Sequence, residues 1–237
     1  MIFIEKLDWD SQFFKLKIGR CTINQNDKYC LNQFRYISQE YDLVYIFSQL
    51  NNLDFKLMDK KVVYINEDIS GFLSINKDAN VNKIEYYQHN RKNYDDILDL
   101  TLQSGEYSRF NIDENFRNNE YSKLYKEWID NSINKKLAQE IIVKYLDNKV
   151  VGFATLSKKD DQLADISLVA VDKNYRGKGI AKEIILNTII EAKKRGFNKI
   201  QVVTQVDNLP ANGLYLATGF KEKSLTNIYH HWNHDTI

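Results

Sequence analysis

The chain has 237 residues, long for one minimal domain and short for two full ones; 43% hydrophobic and 13% aromatic residues supply a buried core and exclude a disordered chain. A formal net charge of +1 gives no electrostatic reason to expect a nucleic-acid or acidic-membrane partner. The two cysteines, Cys21 and Cys30, lack Cys-x-x-Cys spacing, which argues against a zinc site or a disulfide framework.

The first ten residues carry charges from Glu5 onward, with no signal-peptide core and no apolar run of membrane-spanning length, so a cytoplasmic protein is expected. Residues 1–82 read as an N-terminal domain of short strands and one helix, with apolar runs at Val44, Ile46 and Phe47 and at Val62 to Ile65. The pattern changes at Lys83, where a second domain, 83–237, is expected to begin. Lys83 to Tyr87 is a strand candidate. Tyr94 to Leu102 has helical spacing through Ile97, Leu98 and Leu102, and a second helix is predicted from Asn118 to Ser132. Glu140 to Tyr145 and Val150 to Leu156 form a predicted hairpin around Leu146-Asp147-Asn148-Lys149.

A strand from Asp165 to Val171 then runs into Val171-Asp-Lys-Asn-Tyr-Arg-Gly-Lys-Gly-Ile-Ala181, which opens a helix over 179–195. Gly177 and Gly179 lack Cβ atoms, so several N–H groups can approach a ligand closely, and the helix directs its unpaired N–H groups and positive dipole end at the same point. A diphosphate suits such a place. A triphosphate loop would need Gly-x-x-x-x-Gly-Lys-Ser/Thr, and a dinucleotide fingerprint a third small residue where Lys182 stands; neither is present. Gly196 ends the helix, Lys199 to Thr204 returns as a parallel strand, and a short helix through Tyr215 precedes two predicted strands, Lys221 to Ser224 and Thr226 to Trp232.

The stretch Asn208-Leu-Pro-Ala211-Asn-Gly-Leu-Tyr215-Leu-Ala-Thr-Gly219-Phe220 resembles the second signature of the Gcn5-related N-acetyltransferase (GNAT) superfamily, Asn-x-x-Ala-x-x-Leu-Tyr-x-x-x-Gly-Phe. The glycine loop resembles its first, Gln/Arg-x-x-Gly-x-Gly/Ala, with Asn174 at the Gln/Arg position. The resemblance implies an α/β fold with a mixed α+β sheet, the GNAT acyl-CoA N-acyltransferase fold, preceded by a smaller N-terminal α/β domain on the acceptor side. It implies acetyl-CoA as cosubstrate and no metal. The strand before the glycine loop and the one after its helix are expected to splay. Leu168, Val169, Ala170 and Val171 would meet the pantetheine arm, and Arg176, Gly177, Lys178, Gly179, Ile180 and Ala181 the diphosphate. Lys173, Arg176, Lys178 and Lys182 could reach the other phosphate, or form a solvated basic face. Asn208 would orient the cofactor arm, and Ala211 and Tyr215 would also border the cofactor. Tyr215 matches the family's acid toward the leaving thiolate, core packing being its alternative. Asp165 or a water relay would take the amine proton.

Upstream, Leu7-Asp-Trp-Asp-Ser-Gln-Phe-Phe14 with Ile18-Gly-Arg20, Tyr107-Ser-Arg-Phe-Asn-Ile-Asp113 with Phe116, and Leu124-Tyr-Lys-Glu-Trp128 resemble the dTDP-fucosamine acetyltransferases, which act on nucleotide-linked amino sugars. That resemblance places Tyr107 and Arg109 on the acceptor side. Arg109 would pair with a sugar-nucleotide diphosphate or form a salt bridge with Asp113 or Glu114. Trp9, Phe13 and Phe14 would stack on thymine or pack in the core. A small-molecule nucleotide-sugar acceptor and a homodimer fit the resemblance. Acetylation of an amino acid, peptide or aminoglycoside, and a non-catalytic acyl-CoA sensor, remain open. His230-His-Trp-Asn-His234 suggests a metal only superficially, because a strand would put His230 and His231 on opposite faces.

Overall fold

The computed structural model describes residues 2–25, 31–75 and 83–233. Cys30 and His234 lie outside them. The chain divides into two compact units, Met1–Val62 with Ser224–Ile237, and Val63–Lys223. The 82/83 boundary expected from the change of pattern falls inside the second unit, beside residues outside the described set.

The first unit contains β1 (Glu5–Lys6), α1 (Asp8–Phe14), β2 (Ile18–Thr22), α2 (Leu31–Ser38), β3 (Leu43–Ser48) and the start of β4 (Lys56–Asn66). β1 pairs antiparallel with β2, and β2 pairs parallel with β3. A parallel pair needs a crossover, and α2 lies within it. The chain's last strand pairs antiparallel with β3, Asn227 opposite Ser48 and Trp232 opposite Leu43. Alternate residues bury one face as a core of Ile2, Ile4, Cys21, Ile23, Phe34, Val44, Ile46, Leu53 and Tyr229.

In the second unit, α3 (Ile69–Ile75) and β5 (Glu85–Tyr86) precede α4 (Arg91–Ser104), α5 (Arg109–Ile112) and α6 (Glu120–Ile133). Then come β6 (Glu140–Leu146), β7 (Lys149–Lys158), β8 (Leu163–Val171), α7 (Ile180–Lys194), β9 (Lys199–Gln205), α8 (Leu209–Ala217) and β10 (Lys221–Trp232). The strand order is β4-β9-β8-β7-β6-β5. β5 through β8 pair antiparallel, and β8 pairs parallel with β9. The β6–β7 hairpin turns on Asp147 and Asn148, both left-handed (φ 50° and 58°), the conformation that a two-residue hairpin loop requires and that Asp and Asn tolerate. The core elements are a mixed sheet with α4 packed on β7 and β8 and α7 packed on β6 and β7.

Two expectations are corrected, and one short helix was not foreseen. The described residues up to 75 hold three helices rather than one, because α1 and α3 span only seven residues each, too short for a helical period to stand out. The C-terminal segment is one continuous strand, since Ser224-Leu225-Thr226 offers neither Gly nor Pro to break it. The four-residue α5 has no periodic signature; the Ser108 hydroxyl accepts from Phe110 N at 3.3 Å and starts it.

Candidate functional site

The centre of the second unit is a split between two parallel strands. β8 and β9 are in register from Leu163–Lys199 to Ile166–Val202, and there the pairing ends. On its other edge β8 continues against β7, with a register shift that sets Ser167 and Leu168 against Thr155. Such a bulge bends and twists its strand, which turns β8 away from β9. Leu168 N–H donates to Thr155 Oγ1 and Asp172 N–H to Val151 O, both at 2.9 Å and both toward β7. Amide directions alternate along a strand, so Val169 and Val171 direct their polar groups to the side that β9 has left. Of the four residues expected at a ligand arm, Leu168 has its N–H engaged within the protein, and Val169 offers both backbone groups to the opening. The Val171 carbonyl accepts from Arg176 Nε at 3.1 Å.

Next along the chain is the glycine loop. Asp172, buried at 3% exposure, caps a 3₁₀ turn over Lys173–Tyr175: its Oδ1 accepts from Asn174 N at 2.9 Å and its carbonyl from Tyr175 N at 2.8 Å. Lys149 Nζ reaches its Oδ2 at 2.7 Å. The Lys149 hydrogen bond, then the Asn174 N–H, hold the Asp172 carboxyl below its ordinary range. Gly177 and Gly179 follow at φ 77° and 80°, where a side chain is strained, and a Cβ on either would meet no protein atom within 4 Å. The glycines are therefore required by backbone conformation, and open space lies beside them. The first helical bond of α7 runs from Glu183 N to Gly179 O, so the N–H groups of Ile180, Ala181 and Lys182 have no intrahelical acceptor. Gly179 caps this end without a side-chain hydrogen bond. Loop and helix end together make an anion cradle beside the mouth of the split.

α8 begins where β9 ends. Asn208 is its N-cap, with Oδ1 accepting from Ala211 N at 3.3 Å, and Pro210 stands in the first turn. Asn212 Nδ2 donates to Gln205 O and Val206 O at 3.2 and 2.8 Å, fastening the helix to the end of β9. Tyr215 falls on the same helical face as Asn208 and Ala211. It is buried at 4% exposure, with the Tyr64 and Phe220 ring centroids 5.8 and 5.9 Å from its own. Burial alone pushes its phenol well above the ordinary value of 10.

Asp165 lies at the closed end of the split, where its Oδ1 accepts from Gln201 Nε2 at 2.7 Å and its Oδ2 from Ser167 Oγ at 2.8 Å. Arg109, half-buried on α5, places its guanidinium over the Phe110 ring at 4.5 Å, and Tyr107 just before it is 36% exposed. In the first unit, Trp9 stacks on Phe13 (5.0 Å, 11°) with Trp9 half-exposed, while Phe14 is buried. His230 packs on Tyr45 and His231 on Phe34, on opposite sides of β10. Thr155, Asp172, Lys149, Asn212 and Gln201 escaped the sequence reading. Of these only Asp172, an Asp at the start of a polar turn, carries a local signal.

Residues 106–220 match the model of the acetyltransferase (GNAT) family. The spore coat polysaccharide biosynthesis protein SpsD of Bacillus subtilis (strain 168) is 27% identical over 136 residues, which cover 57% of this chain and 46% of that protein. The chain thus spans about half the length of this curated relative. A functionally unknown conserved protein from Staphylococcus epidermidis superposes with a TM-score of 0.60 at 13% identity, over 92% of this chain and 85% of the other. A GCN5-related N-acetyltransferase from Sphaerobacter thermophilus superposes with a TM-score of 0.56 at 10% identity, over 98% and 76%. The fold is that of the GNAT acetyltransferases. No helix of the described residues is long and apolar enough to cross a membrane.

Proposed function

We propose that the chain transfers the acetyl group of acetyl-CoA to the amine of a dTDP-linked amino-dideoxy sugar destined for surface polysaccharide. One observation carries the acetyl-transfer reading: β8 and β9 part after Ile166–Val202 beside a glycine loop and helix end whose N–H groups are unused. A buried amide left unpaired costs about 1–3 kcal/mol, so this opening favours an amide-bearing arm ending in phosphates. The name of SpsD supports a polysaccharide-related acceptor, as do the upstream motifs around Trp9 and Arg109.

When bound, acetyl-CoA supplies an activated acyl thioester. Residues Arg176 to Ala181 hold phosphate through backbone N–H groups, and Val169 offers its N–H to the carbonyl oxygen on which negative charge develops. Asn208 uses Oδ1 for the helix cap and keeps Nδ2 to donate to the arm. Tyr215 keeps its proton across the working pH range, because burial raises its pKa, and it donates that proton's hydrogen bond to the departing sulfur. Full transfer from a phenol to an ordinary thiolate is uphill by roughly 2 kcal/mol before burial is considered, so a hydrogen bond is the better description. In this reading Asp165, whose oxygens accept from Gln201 and Ser167, takes up the amine proton directly or through water.

The test is thiol release from acetyl-CoA against dTDP- and UDP-linked amino sugars, with Tyr215→Phe as control. Release with a dTDP-amino sugar, largely lost in the variant, is the expected outcome. Coenzyme A binding without release on any amino sugar refutes the acceptor class.

A further inference from the structure

At the closed end of the split, four polar side chains stand in a row on one face of the sheet. Ser157, Asp165 and Gln201 are register partners across β7, β8 and β9, and Ser167 is the next residue of β8 on that face. Asp165 accepts from Gln201 at 2.7 Å and from Ser167 at 2.8 Å, and the Ser157 and Ser167 hydroxyls are 3.4 Å apart. Their neighbours on the other face, Ala164, Ile166, Ile200 and Val202, are buried core residues, whereas the four in the row are half-buried or exposed. The row is therefore a built surface on the solvent side of a packed sheet.

Its chemistry is specific. Each Asp165 oxygen accepts one internal hydrogen bond and retains capacity for another; Gln201 keeps its carbonyl and a second N–H, and both serines keep lone pairs. Asp165 is in no ion pair among the described residues, while the neighbouring lysines are engaged elsewhere, Lys158 with Asp161 at 2.5 Å and Lys199 with Glu67 at 2.6 Å. One carboxylate between an amide and hydroxyls suits a ligand with several hydroxyl groups near an amine. Ser167 is two residues from Val169, at most about 7 Å along the bulged strand, within the span of one monosaccharide ring. A ring lying there would touch Ser167, Asp165 and Gln201 while its amine reached Val169.

We infer that this row seats the hydroxyl-bearing ring of the acceptor, with Gln201 and Ser167 selecting an amino sugar over a simple amine. The inference rests on the acetyl-transfer reading above and adds the acceptor's seat to it. The experiment is steady-state thiol release by the full chain, Gln201→Leu and Ser167→Ala. The acceptors are an amino sugar that the wild type accepts, its monodeoxy analogues, and cyclohexylamine. Coenzyme A affinity is measured for each protein. KM for the amino sugar should rise about tenfold in each variant, the loss of one hydrogen bond, with coenzyme A affinity unchanged. Removing the contacted hydroxyl should raise KM in the wild type but add nothing in the matching variant. An unchanged KM, or an equal rise for cyclohexylamine, overturns the inference. Should a variant not fold, the deoxy series on the wild type decides: a KM indifferent to every hydroxyl overturns it equally. A wild type inactive on every amino sugar removes the functional reading itself, and this inference with it; an active wild type with unaffected variants removes only the inference.

Discussion

The two halves of β8 differ in what surrounds them. From Leu163 to Ile166 the strand is paired on both edges, and its exposed face carries side chains that hydrogen-bond one another. From Val169 to Val171 one edge is open and the useful groups are backbone. One bulge opposite Thr155 separates the two. On the proposed reading, the open half and its glycine loop would take their chemistry from peptide groups, so they would tolerate many side chains but few changes of backbone conformation. The paired half would take its chemistry from side chains, so its specificity could vary without disturbing the fold.

Two substitutions test the open half, and the larger effect comes first. Gly179→Val places a β-branched residue at φ 80° and a Cβ in the space beside the loop. A left-handed conformation costs such a residue about 1–2 kcal/mol, and the lost approach to phosphate adds to it. Coenzyme A should bind at least about 100-fold more weakly by calorimetry; near-wild-type affinity would show that the loop is not the phosphate cradle. Tyr215→Phe should lower kcat by about 10–100-fold and leave coenzyme A affinity intact. With its pKa pushed upward by burial, Tyr215 adds no alkaline limb to the wild-type profile below pH 10. A limb that appears below pH 10 and vanishes in Tyr215→Phe would contradict its buried, neutral state.

The same contrast explains what could be read from sequence. Gly177 and Gly179 were legible because a tight turn restricts the residue type, whereas Asn208, Ala211 and Tyr215 were singled out by the resemblance to the second GNAT signature. The hairpin at Asp147-Asn148 was legible for the same reason as the glycines. Thr155, Lys149 and Gln201 were not, because each acts through a contact 13, 23 or 36 residues away in the chain. The bulge that brings Thr155 to Leu168 has no local signature, so strand alternation alone could not tell which amides face the opening. Asp165 was placed on its strand, but its partners Ser167 and Gln201 appear only when β8 and β9 are in register.

A smaller effect is expected at the hinge between the halves and the loop. Asp172→Asn keeps an acceptor for Asn174 N–H but removes the charge facing Lys149, itself 39% exposed at the side chain. The variant should lose about 1–2 kcal/mol of stability at pH 7, discounted for that exposure. Because the folded-state pKa of Asp172 is depressed, the wild-type advantage is full above the ordinary value of 3.8 and disappears as pH falls through the lower folded value. Denaturant midpoints for both proteins between pH 7 and pH 2 read this directly. A gap that does not close on acidification would assign the loss to the cap rather than the ion pair.

The smallest effect belongs to the β5 edge of the sheet, three strands beyond β8. Tyr86 on β5 donates to Glu191 on α7 at 2.8 Å, and Glu191 also accepts from Arg195 at 2.7 Å. Burial first, then the hydrogen bond to Glu191, push the Tyr86 phenol up to about 12. The unfolded chain ionises near 10, so the contribution of Tyr86 is complete below pH 10 and is lost as pH rises through 12. Tyr86→Phe should therefore cost no more than about 1 kcal/mol at pH 7, and its stability should decline less steeply than the wild type's between pH 10 and 12. Because this contact anchors the C-terminal turn of α7 and leaves its N-terminal turn alone, coenzyme A affinity should not change. A weakened affinity in Tyr86→Phe would mean that the open half depends on the far edge of the sheet, and the division drawn at the bulge would fail.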